Sequence, residues 1–120
     1  MHESFLRQMK EQLLVELAST EDELARLRSI ATATETQSEH AGLGNHMADD
    51  ATDLFEQEKN VTLLHHTEHR LEKVKAALRR IEHGTYGQCE DCGEAIDRAR
   101  LESLPHAALC LRCKARQEKA

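Results

Sequence analysis

All four cysteines of this 120-residue chain fall in its last third. They read Cys89-Glu90-Asp91-Cys92-Gly93 and, after a gap, Cys110-Leu111-Arg112-Cys113, a C-x2-C-x17-C-x2-C pattern. Two residues between cysteines let both sulfurs of a knuckle face one ion, and two knuckles complete a tetrahedron around zinc. Gly93 suits the sharp turn after the second sulfur, because glycine tolerates positive φ. Two disulfides or a redox pair are the alternatives. A thioredoxin-type pair would need a βαβ context, and none is visible. With four sulfurs as ligands no coordination position stays open for substrate or water, so such a zinc is structural rather than catalytic.

The rest of the chain has little material for a thick core. It has one proline, no tryptophan, one tyrosine and two phenylalanines, and charged residues make up 32%. That composition suits a helical element with a small appendage. No apolar run approaches the roughly 18 residues of a membrane span. The start, Met1-His2-Glu3-Ser4-Phe5, lacks the basic and then apolar segments of a signal peptide. Thiol ligation without a secretory signal predicts a reducing cytoplasm. Residues 1–60 carry five Lys/Arg against thirteen Asp/Glu, a net of −8, whereas residues 61–120 carry eleven against nine, a net of +2. Direct sequence-specific DNA binding is a poor fit to that balance, and a basic protein surface or metal-containing site is a better partner for the acidic half.

From about Leu6 to Thr34, apolar and small residues recur at steps of three and four: Leu6, Met9, Leu13, Leu17, Thr20, Leu24, Leu27, Ala31 and Thr34. A second stripe runs Leu54, Val61, Leu64, Leu71, Val74, Leu78 and Ile81. Neither helix can bury its stripe alone. Matching Phe5 with Ile81, Leu13 with Val74 and Leu24 with Val61 puts the fold-back point near residue 43, where Gly42-Leu43-Gly44-Asn45 stands. The expectation is an antiparallel coiled-coil hairpin over residues 1–83 with its tip near 38–50, followed by a finger over residues 84–120. A long intermolecular coiled coil is the alternative. The tail 111–120 is expected to add a short helix.

The second helix starts among His46-Met47-Ala48-Asp49-Asp50-Ala51-Thr52-Asp53. Asp49 or Asp50 can cap it and the other carboxylates favour its positive end. Presented at the end of a narrow hairpin, the same carboxylates could approach a basic loop or a metal ion inside another protein. His65 and His69 stand four residues apart and could chelate a metal, but no third ligand nearby is compelling and a solvated or pairing helix face is the usual reading. Gly84-Thr85-Tyr86-Gly87 supplies a helix stop before the first knuckle. Ile96, Leu101, Leu104 and Leu109 are too few to hold the segment without a metal.

The run Gly84-Thr85-Tyr86-Gly87-Gln88-Cys89-Glu90-Asp91-Cys92-Gly93-Glu94-Ala95-Ile96, with Arg100-Leu101, Pro105, Ala107, Cys110 and Cys113 after it, resembles the zinc finger of the DksA/TraR family. The resemblance covers residues 45–115 in sequence and the first helix in architecture. It implies a mainly α protein: a coiled-coil hairpin, a small treble-cleft-like C4 finger holding one structural Zn2+, and a short C-terminal helix. It also implies a non-enzymatic, cytoplasmic regulator that binds bacterial RNA polymerase and inserts the hairpin tip through the secondary channel, in some members together with an alarmone nucleotide. The family's tip pattern, Asp-x-x-Asp-x-Ala, falls on His46-Met47-Ala48-Asp49-Asp50-Ala51, so Asp49 and Ala51 match and His46 replaces the first aspartate. Asn45-His46-Met47-Ala48-Asp49 is closer to the Asn-His-Pro-Ala-Asp tip of a Gram-positive-type branch, sometimes linked to stress. A structural coiled-coil adaptor and a thiol redox or zinc-buffering protein are the competing readings.

Overall fold

Two long helices and two short ones make up the regular structure. The computed structural model describes residues 2–40 and 47–119, with side chains described for 2–32 and 54–119. In chain order the elements are α1 (Glu3–His40), α2 (Met47–His83), α3 (Arg98–Ser103) and α4 (Leu111–Lys119). Among the described residues there is no strand, only an isolated antiparallel bridge between Gln88 and Ala95. No helix is long and apolar enough to cross a membrane. Residues 41–46, with the glycine pair expected at the fold-back point, lie outside the described residues.

Contacts group the chain into two compact units, one of residues 1–18 with 71–120 and the other of residues 19–70. In the first, Phe5, Met9 and Leu13 of α1 and Val74 and Ala77 of α2 share one core with Tyr86, Cys89, Ile96, Leu101, Ala107 and Cys113. Leu6, Leu17, Leu78, Ile81 and Leu109 pack around it, half-buried. Each fully buried side chain of this size contributes about 1.5–3 kcal/mol. The finger's apolar residues therefore need not form a core of their own: the ends of the long helices complete it. Leu104, expected to face inward between the knuckles, is instead 37% exposed. It closes α3, and its N–H bonds back to the Arg100 carbonyl at 2.8 Å, which leaves its side chain outward.

The unit of residues 19–70 has a thinner seam. Thr20, Leu24 and Thr67 are its buried side chains among the described residues. Burial on α1 at Leu24, Leu27 and Ala31 is mirrored on α2 by Thr67, Leu64 and Asn60, each series stepping by three and four residues. Ion pairs flank the seam: Arg70 Nη2 to Glu23 Oε2 at 2.8 Å and Arg28 Nη2 to Glu68 Oε1 at 3.6 Å. The expected pairing of Leu24 with Val61 does not occur, since Val61 is 46% exposed and Leu54 59%. Phe55 and Leu63 are exposed as well, and the helix turns small polar Thr67 inward, where its hydroxyl donates to its own backbone at Leu63 (2.8 Å). A β-branched threonine whose hydroxyl is satisfied within the helix packs in a seam much as valine does.

Candidate metal centre

The finger begins where α2 stops. The Gly84 N–H bonds the Ile81 carbonyl at 3.3 Å and the Thr85 N–H bonds the Arg80 carbonyl at 2.9 Å, with Gly84 at φ 74°. This pair of bonds is a Schellman cap, which consumes two orphan carbonyls and turns the chain back over the helix end. The chain then forms the first knuckle. Ile96 N–H bonds the Gly87 carbonyl (2.7 Å), Cys89 N–H the Glu94 carbonyl (2.8 Å) and Gly93 N–H the Cys89 carbonyl (2.9 Å). Gly93 stands at φ 77°, as its place after the second sulfur requires. A Cβ there would meet nothing within 4 Å, so backbone conformation rather than space selects glycine.

The second knuckle is built on α4. Cys110 immediately precedes the helix and its carbonyl accepts the Lys114 N–H at 2.9 Å, while Cys113 lies in the first turn. Both sulfurs thus sit at the positive end of a helix, where negative charge is favoured. Three bonds hold the two knuckles in place: Glu90 N–H to the Ala108 carbonyl (2.9 Å), Tyr86 Oη–H to the Pro105 carbonyl (2.8 Å) and Arg100 Nε–H to the Leu109 carbonyl (3.1 Å). On the other side, Arg80 Nη1 donates to Glu90 Oε1 at 3.0 Å, and Arg98 lies over the Phe5 ring, 4.4 Å from its centroid. Of these positioning residues Tyr86, Glu90 and Arg100 belong to the run that carries the family resemblance, whereas Arg80 does not. Nothing in the spacing marked Arg80, Glu90 or Arg100.

The sulfurs of Cys89, Cys92, Cys110 and Cys113 all lie within 4.8 Å of one another, and they are the only such cluster among the described residues. Cys92 Sγ and Cys110 Sγ are 3.8 Å apart. A tetrahedron with Zn–S bonds of about 2.3 Å has edges of about 3.8 Å, so the spacing suits a zinc ion. A disulfide would need sulfurs about 2.05 Å apart. All four cysteines are free thiols. The backbone N–H groups of Cys110 and Cys92 hold the Cys89 thiol low, at about 6, against the opposing effect of burial. Hydrogen bonding to the Cys110 thiol, then burial, pushes Cys113 up. Without a cation one sulfur therefore takes the negative charge at its neighbours' expense, and a divalent ion is what lets four thiolates share so small a volume.

The description "Prokaryotic dksA/traR C4-type zinc finger" matches residues 84–119. The RNA polymerase-binding transcription factor DksA of Caulobacter vibrioides is 32% identical over 110 residues, which cover 92% of this chain and 68% of that protein. This chain belongs to the DksA/TraR family. Its DksA-type fold is matched by the transcription factor DksA2 of Pseudomonas aeruginosa, with a TM-score of 0.79, 28% identity, and coverage of 99% of this chain and 87% of that one. YteA of Bacillus subtilis is 50% identical over 64 residues, but those residues span only 26% of its length. As a DksA/TraR protein the chain carries one structural zinc ion, and the four clustered thiols fit it.

His46 lies outside the described residues, and so do the side chains of Asp49, Asp50 and Ala51, whose backbone belongs to the start of α2. Because α2 already begins at Met47, Asp49 and Asp50 stand inside its first turn rather than at the cap. A carboxylate there still favours the positive helix end.

Proposed function

We propose that the chain is a non-enzymatic transcription regulator that binds bacterial RNA polymerase. Cys89, Cys92, Cys110 and Cys113 would hold the zinc ion, whose role is a structural cross-link that closes the finger. Their four sulfurs would fill its tetrahedron, which leaves the metal no catalytic position. The hairpin of residues 1–83, with its tip near 38–50, would then be carried on the finger of residues 84–120. In this reading the tip enters the polymerase secondary channel and presents Asp49, with Asp50 beside it, while His46 and the small Ala51 shape the contact. It acts in the cytoplasm on transcription initiation, with an alarmone nucleotide as a co-ligand at the polymerase, and without sequence-specific DNA binding of its own.

The observation that carries the reading is the extent of the match to a named polymerase-binding factor: 92% of the chain, both long helices included, rather than the finger alone. The experiment is capture of core RNA polymerase by the zinc-loaded chain, followed by transcription in vitro with Asp49→Asn. Wild-type chain is expected to bind and to change promoter output. Asp49→Asn should keep zinc and fold while losing that effect. No binding, or unchanged regulation by the variant, would overturn the proposal.

A further inference from the structure

His65, His66 and His69 take no part in the metal centre or in the seam. All three are exposed on α2, in the unit of residues 19–70. Residues four apart on a helix lie on one face, about 5–6 Å between Cβ atoms, whereas neighbours in sequence point about 100° apart. His65 and His69 therefore share a face from which His66 is turned away. The i,i+4 histidine pair is the standard helical chelate for borderline divalent ions. The structure adds a carboxylate: Glu68 Oε2 lies 4.0 Å from His65 Nδ1, while the other Glu68 oxygen faces Arg28 Nη2 at 3.6 Å. At that distance the carboxylate makes no hydrogen bond to the ring, but it adds a negative charge beside the pair.

We propose that His65 and His69 form an open, exchangeable site for a borderline divalent metal ion on α2. Two imidazoles supply only part of a coordination shell, and water fills the rest, in contrast to the closed set of four sulfurs. The site is therefore weaker than the zinc finger and is emptied by chelators that leave the finger loaded. Its affinity falls with acid, because imidazole ligates only in its neutral form.

The test uses the full zinc-loaded chain and Ni2+ as probe, following the imidazole signals by NMR. Ni2+ is expected to broaden His65 and His69 first, with the finger's signals and zinc content unchanged. His65→Gln or His69→Gln should abolish that binding, and His66→Gln should leave it intact. All three positions are on the exposed helix surface, so the variants should fold, which circular dichroism checks. Broadening that begins at other histidines, or binding that survives His65→Gln, would overturn the proposal.

Discussion

The two compact units are built from the same pair of helices, yet they are held together differently. At one end, Phe5, Met9, Leu13, Val74 and Ala77 share a core with the finger's Tyr86, Ile96, Leu101 and Ala107. At the other, Leu24 is the one fully buried hydrophobic residue among those described, accompanied by Thr20 and Thr67. The ion pairs that flank that seam are solvent-exposed, and such pairs are worth about 0–1 kcal/mol. Local stability follows buried apolar contact, so the unit of residues 19–70 should open more readily than the unit that contains the finger.

The sharpest way to break this contrast is to remove the metal. Structural zinc sites contribute about 10–16 kcal/mol, so stripping the ion with a chelator should unfold residues 84–119. Because the core is shared, amide exchange should also accelerate in α1 near Phe5 and Met9 and in α2 near Val74 and Ala77. Full protection there after zinc loss would show that the long helices do not depend on the finger.

Core truncations give the next largest effects. Leu101→Ala should cost about 2–5 kcal/mol in chemical denaturation and weaken both the finger and the adjoining helix ends. Leu24→Ala should fall at the low end of that range and raise amide exchange only within residues 19–70. Equal global effects of the two substitutions would erase the distinction between the units.

Tyr86 probes the finger side alone. Burial pushes its phenol up from 10.0 to about 12, against the pull of the nearby Arg80 guanidinium. The folded state therefore keeps its proton where the unfolded chain would release it. The resulting stability is complete below pH 10 and is lost as pH rises toward 12. As the chain has one tyrosine, phenolate absorbance reads this group directly, and a midpoint at 10 would contradict its burial. Tyr86→Phe should remove that alkaline window and, with the bond to the Pro105 carbonyl gone, cost about 1 kcal/mol.

The smallest expected effect has the opposite sign. The Thr20 hydroxyl is fully buried with no hydrogen-bond partner. Thr20→Val replaces it with a methyl group of similar shape and should stabilise the seam by about 1 kcal/mol in thermal melts. Destabilisation would mean that the hydroxyl is satisfied after all. Thr67→Val is the control, because that hydroxyl already bonds the Leu63 carbonyl.

Spacing in the chain was sufficient for the features that depend on local geometry. Two C-x2-C units, the helix stop at Gly84 and two periodic stripes were enough for a metal finger behind two long paired helices, and Met9, Leu13, Leu24, Leu71 and Val74 are buried where the periodicity put them. Register, and the sharing of a core, were not legible in the same way. A stripe says which face of a helix is apolar but not which residue lies opposite. Leu54, Phe55, Val61 and Leu63 are all apolar and all exposed, so Val61 was matched to Leu24 although α2 buries Thr67 instead. Only the fold could decide that the finger's few apolar side chains complete their core against the distant start of α1 as well as the end of α2, because burial is a property of what surrounds a side chain in space, which no local pattern encodes.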